Sequence, residues 1–380
     1  MSNNELSSES SGSTEKVTTI RLKQYVISHR GVAPHEVEFN NNLMEAREAI
    51  RKGVYPQLIA SGSSGSYFVR DSSGNFLAVF KPKDEEPFAS LNPKWPKFFQ
   101  RILCFCCFGR ACLIPNNGYL SETGASIVDE YLKLDIVPKT RVLKLCSPTF
   151  SYGRFFGRKA EPKPKEGSYQ LFVHEYVSAA ELLPEWSNAD ISNILNEAEM
   201  EQFIILFQKM CVLDYVIRNT DRHMDNWMIK HVPGVELKLA AIDNGLAFPV
   251  KHPEFASRFR QFPFGWATLS WAQNPWNEEL AKELLNLITP LYLYKLNNEV
   301  RYLFSHGVSN GLLVSKQMRV FRGQVWNLLE SLRSKESPAD LVKRQPILVT
   351  RRRGNTPPNN LNWSEWYRVK SPNYQGRWCF

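Results

Sequence analysis

The stretch RNTDRHMDNW at residues 218–227 crowds two aspartates, two asparagines, a histidine and two arginines between an apolar run and the apolar WMI that begins at Trp227. So polar a loop in so apolar a setting needs partners, because unpaired polar groups are costly to bury. Asp221 can receive or orient the proton of an attacking hydroxyl, and the amide oxygen of Asn226 suits a hard divalent cation. Asp243 closes the apolar LKLAAI and precedes Asn244 and Gly245, a position from which a second carboxylate reaches a metal that bridges phosphates. Lys81 ends the apolar FLAVF, where a phosphate and a nearby carboxylate would satisfy its ammonium. In GSSGS, Gly62, Ser63, Ser64, Gly65 and Ser66 are small enough for backbone N–H groups to approach a phosphate. Singly these are an ordinary turn, a strand-end lysine and surface ion pairs. In this order along one chain they imply phosphoryl transfer.

The elements that must position them follow from local pattern. PQLIA, YFVR and FLAVFK, separated by Gly- and Ser-containing reversals, predict a three-stranded antiparallel meander from about Tyr55 to Pro82. Helical spacing of Ile127, Val128, Tyr131 and Leu132 predicts a helix over GYLSETGASIVDEYLKL, followed by strand TRVLKL, a basic exposed loop at 151–167 and strand YQLFVHEYV. EAEMEQFIILFQKMCVLDYVIRN is apolar nearly all round, as a central buried helix is. The fold class is therefore α+β, a mainly β lobe followed by a mainly α lobe. The expected boundaries are a polar tail at 1–20, a lead-in at 21–54, the β lobe at 55–175 with an insertion at 87–118, the α lobe at 176–345 and a basic, flexible tail at 346–380.

Asp221 and Asn226 have the separation of Asp and Asn in the kinase loop H-R-D-x-x-x-x-N. No G-x-x-x-x-G-K-[ST] is present, which disfavours a P-loop NTPase. Asp243-Asn244-Gly245 in place of D-F-G, with no A-P-E after it, disfavours a protein kinase. The strings GSSGSYFV, AVFKPKDEEP, LNPKW, CFCCFGRACLIPN, GYLSETGAS, VLDYVIRNTDR, AAIDNGLAFPVKHP and VFRGQ resemble the type II phosphatidylinositol 4-kinases over roughly Tyr55 to Val349. The resemblance implies a bilobal PI3/PI4-kinase fold and transfer of the ATP γ-phosphate to the 4-hydroxyl of phosphatidylinositol, with Mg²⁺, on the cytosolic face of Golgi, trans-Golgi and endosomal membranes. By position it implies that Ser63 to Ser66 cover the phosphates, Lys81 grips them, Gln170, Leu171, Phe172 and Val173 hold adenine through backbone contacts, Asp221 is catalytic, and Asn226 and Asp243 hold the metal. His223 and Met224 depart from the family's loop; D-R-H-x-x-N also resembles the loop of the phosphatidylinositol 3-kinase group, in which that His takes part in phosphoryl transfer, so His223 is expected to be a packed ring, with a catalytic role as the alternative. The alternative class is a membrane-bound pseudokinase or adaptor of the same fold.

Composition sets the remaining bounds. The chain has 380 residues, 43% of them hydrophobic, and a formal net charge of +9, so it has material for a core and an attraction to anionic partners. The polar start MSNNELSSES has no signal-like apolar stretch and no glycine after Met1, and no apolar run reaches a bilayer's span, so a peripheral protein facing the cytosol is expected. Cys104, Cys106 and Cys107 lie among Trp95, Phe98 and Phe99 with Lys94, Lys97, Arg101 and Arg110 alongside, an interfacial composition. Lipid attachment at these cysteines is expected, and an anionic lipid surface is the expected partner in preference to nucleic acid. A zinc site is disfavoured because no histidine is near and Cys106 and Cys107 are adjacent. Trp266 is the expected membrane anchor among Trp266, Trp271 and Trp276.

Overall fold

Alternation between a core face and a cleft face organises the first half of the chain. The computed structural model describes residues 34–87, 89–93, 111–155, 158–159, 161–188, 194–255, 262–352 and 362–372. Strands β1 (Gln57–Leu58), β2 (Tyr67–Arg70), β3 (Phe76–Pro82) and β4 (Thr140–Leu145) form an antiparallel sheet with β7 (Lys165–Leu171), in the order β1-β2-β3-β7-β4. The pairings Tyr67↔Phe80 and Phe80↔Tyr169 put three aromatic residues on one face, and the pairing Phe68↔Val79 puts Lys81 on the other. The aromatic face packs on helix α1 (Pro34–Arg51) through Phe39 and Ala46, with the Phe39 and Tyr169 rings edge to face at 5.7 Å. The Tyr169 hydroxyl donates to Asn42 Oδ1 at 2.7 Å. The meander, β4 and the end of β7 agree with the sequence pattern, whereas β7 starts inside the expected loop and α1 lay unrecognised in the lead-in.

The loop expected at 151–167 is more ordered than its composition implied. Strands β5 (Arg154–Phe155) and β6 (Arg158–Lys159) form a hairpin there. Lys165, at the start of β7, is buried with its Nζ 2.8 Å from Glu85 Oε1 and 3.0 Å from Asp84 Oδ1.

Helix α2 (Gly118–Leu132) forms where the spacing predicts it, but its company is unexpected. Sequence order places it in the β lobe; its apolar face, with Leu120, Ala125, Val128 and Leu132, lies in the large core built by the following helices. That core joins α3 (Ala179–Asn188), α4 (Glu197–Ile217), α5 (Glu278–Leu287), α6 (Pro290–Gly307), α7 (Gly311–Arg333) and α8 (Pro338–Lys343). A second sheet, in the order β10 (Glu236–Ala241), β9 (Trp227–Val232), β8 (Val177–Ser178), sits against it. Helix α4 begins in a capping box between Asn196 and Glu199 and is buried all round from Met210 to Ile217. No helix among the described residues is long and apolar enough to cross a membrane.

The C-terminal expectation is corrected. Strands β11 (Leu348–Arg351) and β12 (Tyr367–Lys370) pair antiparallel, with the short helix α9 (Trp363–Trp366) leading into β12. Val349, Trp366 and Tyr367 are buried in the main core. The basic, Pro- and Asn-rich composition obscured these apolar anchors, whose burial holds the segment down at roughly 1.5–3 kcal/mol per large side chain.

Candidate functional site

Lys81, at the end of β3, reaches from the first sheet to two carboxylates. Its Nζ lies 2.5 Å from Glu122 Oε1 and 3.0 Å from Asp243 Oδ1. Burial alone would push the ammonium down, but Asp243 and Glu122 outweigh it and hold its pKa above the usual lysine range. Lys81 in turn holds Asp243 below the usual carboxylate range, while burial pushes Glu122 up. The Asp243 side chain is 57% exposed and sits on a backbone with φ of 52°, a strained conformation for a residue with a Cβ.

Glu122 belongs to α2 and was missed from the sequence. Its second oxygen accepts the Asn244 N–H at 2.9 Å, so one side chain joins the lysine strand to the Asp243-Asn244-Gly245 segment. Helix α2 is itself fixed from the β lobe: the two oxygens of Glu86 accept the N–H groups of Gly118 at 3.0 Å and Tyr119 at 2.8 Å. A carboxylate is favoured there by the exposed N–H groups and the helix dipole. Burial nevertheless pushes Glu86 up to about 7.

The polar loop after α4 hangs on a buried ion pair that was also missed. Arg218 ends the helix in a left-handed conformation, and Asp214, one turn earlier and fully buried, takes Arg222 Nε at 3.0 Å, Asn219 Nδ2 at 3.1 Å and Trp266 Nε1 at 3.0 Å. The Arg222 guanidinium donates to the carbonyls of Asn226 and Ile242 and to Asn244 Oδ1, tying the loop to the strand that carries Asp243. A lone acid inside the apolar MCVLDYVI was the available signal for Asp214, since an unpaired buried carboxylate is not tolerated.

Asp221 and Asn226 are brought together: Asn226 Nδ2 donates to the Asp221 carbonyl at 2.8 Å, and the Asn226 carbonyl accepts the Ile242 N–H at 3.0 Å. Asn226 Nδ2 also lies 3.3 Å from His223 Nε2, and neither contact uses Oδ1. Asp221 is partly exposed. His223 is not the packed ring expected. It is 55% exposed, with Nε2 4.0 Å from Asp221 Oδ2 and Nδ1 3.4 Å from Asp225 Oδ2. Its polar neighbours are Asp221, Asp225 and the Asn226 amide.

The turn at Gly62–Ser66 connects β1 to β2, and the pairing of Tyr67 with Phe80 sets it beside the Lys81 end of β3. It divides into two parts. Gly65 is buried, its N–H is spent on the Glu85 carbonyl at 2.8 Å, and a Cβ there would fall 2.6 Å from Glu85 Oε2, so glycine is required for close approach rather than for a phosphate. Ser66 is likewise buried, with its hydroxyl 3.1 Å from that of Ser64. The outer edge is Gly62, Ser63 and Ser64, and Asn92 steadies it by donating to the Ser63 carbonyl at 3.0 Å.

The segment from β7 toward β8 is partly committed elsewhere. The Leu171 and Phe172 N–H groups bond the carbonyls of Lys139 and Leu77, both at 3.0 Å, and Gln170 Nε2 donates to Thr140 Oγ1. The N–H groups of Leu171 and Phe172 are therefore spent, while that of Val173 makes no hydrogen bond among the described residues. The Phe172 ring stacks on Phe76 at 4.8 Å.

Trp266 is corrected as a membrane anchor. It is 1% exposed, stacks on Phe264 at 4.9 Å and spends its indole N–H on Asp214, while Trp276 is also buried and Trp271 half-buried. An indole with a polar tip suits an interface, but here the tip's partner is a buried carboxylate. Trp95, Phe98, Phe99, Cys104, Cys106 and Cys107 lie outside the described residues.

Among the described residues no group of three or more His, Cys, Asp or Glu side chains forms a metal cluster. Asn226 Oδ1 and Asp243 are nevertheless a hard-oxygen pair, which suits an ion that takes its other ligands from phosphates and water. The donor set therefore fits a divalent cation held jointly with a nucleotide.

A β lobe and an α lobe with a lysine–carboxylate cluster at their junction define a kinase-like phosphotransferase. The family model "Phosphatidylinositol 3- and 4-kinase" matches residues 62–337, and the chain belongs to that family. It is 39% identical to phosphatidylinositol 4-kinase type 2-alpha of Danio rerio, over 90% of this chain and 84% of that protein. It is 41% identical to the type 2-beta protein of Danio rerio, over 84% of this chain and 70% of that protein. With the type 2-beta protein of Mus musculus the identity is 39%, over 90% of this chain and 80% of that protein.

Proposed function

We propose that this chain is a phosphatidylinositol 4-kinase, transferring the terminal phosphate of ATP to the 4-hydroxyl of phosphatidylinositol. The observation that carries the reading is the convergence of Lys81, Glu122 and Asp243 within hydrogen-bond distance, with Asn226 bonded to the segment that carries Asp243. The names of its relatives supply the lipid and the ring position.

In this mechanism Asp221 orients the inositol hydroxyl and accepts its proton as the oxygen attacks the γ-phosphorus. The bond from that phosphorus to the ADP oxygen breaks in line. Lys81, held by Glu122, offers its ammonium to the phosphates, and the outer edge at Gly62, Ser63 and Ser64 covers them. Val173 and the Phe172 ring receive the base. Asn226 and Asp243 would hold Mg²⁺, which would supply neutralisation of charge on the phosphate oxygens. Catalysis here is mostly positioning, so a displaced partner is as damaging as a lost one.

The membrane side of the proposal rests on the insertion. The contacts of Glu86 with Gly118 and Tyr119 bring together the two ends of the sequence excursion 87–117. The aromatic residues Trp95, Phe98 and Phe99, the cations around them and acylated Cys104, Cys106 and Cys107 would dock that excursion on an anionic leaflet. With this we carry over the cytosolic face of Golgi and endosomal membranes as its place of action. The test is transfer from labelled ATP to phosphatidylinositol vesicles, with Mg²⁺ or with chelator, and identification of the product. Phosphatidylinositol 4-phosphate formed only with the cation supports the reading; a 3-phosphate, or no lipid product from nucleotide-binding protein, refutes it.

A further inference from the structure

Four arginines surround a cavity of about 210 Å³ that shares no lining residue with the cleft. Arg301 comes from α6, Arg319 and Arg322 from successive turns of one face of α7, and Arg351 from the end of β11. No aspartate or glutamate lines the cavity.

Arg322 is the built part of this site. It is 8% exposed, its Nε donates to the Val349 carbonyl at 2.9 Å and its Nη1 to Asn297 Oδ1 at 2.6 Å. Nη2 makes no hydrogen bond among the described residues, so the fork is aimed while part of it stays unused. The Arg301 and Arg319 guanidinium groups make neither an ion pair nor a hydrogen bond among the described residues, and Arg351 lies over the Tyr294 ring at 4.4 Å. Burial, and then the charges of Arg301, Arg319 and Arg351, push Arg322 down to about 10, against the opposing phenol of Tyr367. A buried cation ringed by cations is a costly arrangement, and an anion bound between them adds an attraction to each that offsets their mutual repulsion.

The chemistry selects the anion. Planar guanidinium forks match phosphate oxygens in pairs, better than they match a single chloride or an extended polyanion. The volume lies below the roughly 300 Å³ at which pockets for drug-sized ligands begin, enough for a phosphate on a small polar ring and too little for an acyl chain. We propose that this four-arginine cavity binds a phosphate monoester on a small headgroup, either free in solution or carried by a lipid. The proposal does not depend on the catalytic reading.

The test compares the full-length chain with its Arg301→Gln/Arg319→Gln double variant, both positions being exposed, after equal thermal unfolding of the two has been checked. In one arm inositol 1,4-bisphosphate and inorganic phosphate are titrated. In the other, binding to phosphatidylcholine vesicles containing phosphatidylinositol 4-phosphate is compared with binding to phosphatidylserine vesicles of matched surface charge. The cleft is common to both proteins, so anion binding there cancels. The expected result is affinity for the bisphosphate about tenfold weaker in the variant, from the loss of charge-assisted contacts. A preference for the 4-phosphate vesicles that the variant loses marks a lipid source, and unchanged vesicle binding beside a lost soluble affinity marks a free one. Equal binding by both proteins in both arms, or no binding of either soluble probe by the wild type, overturns the proposal.

Discussion

Lys81 Nζ and Glu122 Oε1 meet at 2.5 Å, joining a strand of the β lobe to a helix whose apolar face is buried in the core of the α lobe. Because the other Glu122 oxygen holds the Asn244 N–H, the lysine, the helix and the segment carrying Asp243 are positioned as one unit. The lysine's placement therefore depends on a side chain from a different element, 41 residues further along the chain.

Replacing Glu122 with Gln keeps the shape and removes the charge that faces Lys81. The expected outcome is transfer slowed by about 10²-fold, the scale of an ångström of misplacement, with a raised KM for ATP. Steady-state kinetics check this. Wild-type kinetics in the variant would show that Asp243 alone suffices to hold the lysine.

Trp266→Phe separates the two roles considered for that side chain. The variant loses the indole N–H that Asp214 accepts, leaving Arg222 and Asn219 in place. Stability should fall by about 1 kcal/mol in urea unfolding, and association with phosphatidylinositol vesicles should be unchanged. A selective loss of vesicle binding at full stability would restore Trp266 as an anchor.

Glu86 makes stability depend on pH in a direction opposite to that of most carboxylates. Its folded value of about 7 stands above the ordinary 4.5, so the folded chain binds the extra proton between them. Stability from this group is fully present below pH 4.5 and is lost as pH rises toward about 7, a change of about 3 kcal/mol. Asp129, also pushed up to about 7, adds to the same slope. Glu86→Gln should flatten its share, measured as the difference in urea unfolding free energy between about pH 5 and pH 8. An unchanged slope would mean that the Gly118 and Tyr119 N–H groups keep Glu86 ionised throughout.

How much of this was legible in the sequence depended on whether a residue's environment is local. The β2–β3 hairpin, α2 and α4 are written in short-range pattern; Lys81 and Asp243 stood out because each ends an apolar run, and Asp221 and Asn226 because they sit in a polar loop at the spacing of the kinase catalytic loop. Glu122 did not, since a glutamate in a helix is ordinary until a distant lysine is known to face it. The roles of Arg222 and Asn244 were invisible for the same reason: the Ile242 carbonyl for one and Glu122 for the other are distant in sequence, and Asp214, only eight residues from Arg222, meets it across the end of a helix. His223 and Trp266 were read from residue type alone and came out reversed, the ring exposed and the indole buried. At the C-terminus, composition masked the few anchors, Val349, Trp366 and Tyr367, that decide whether a tail packs.

The central claim is that Asp221 handles the proton of a lipid hydroxyl in a site that Lys81, Asn226 and Asp243 prepare. It is tested most directly by Asp221→Asn, a change that keeps the side chain's shape, through nucleotide affinity and phosphate transfer to phosphatidylinositol measured on the same protein. The account predicts unchanged ATP affinity with transfer reduced by about 10³-fold, within the range for losing a general base. Transfer at the wild-type rate would contradict it.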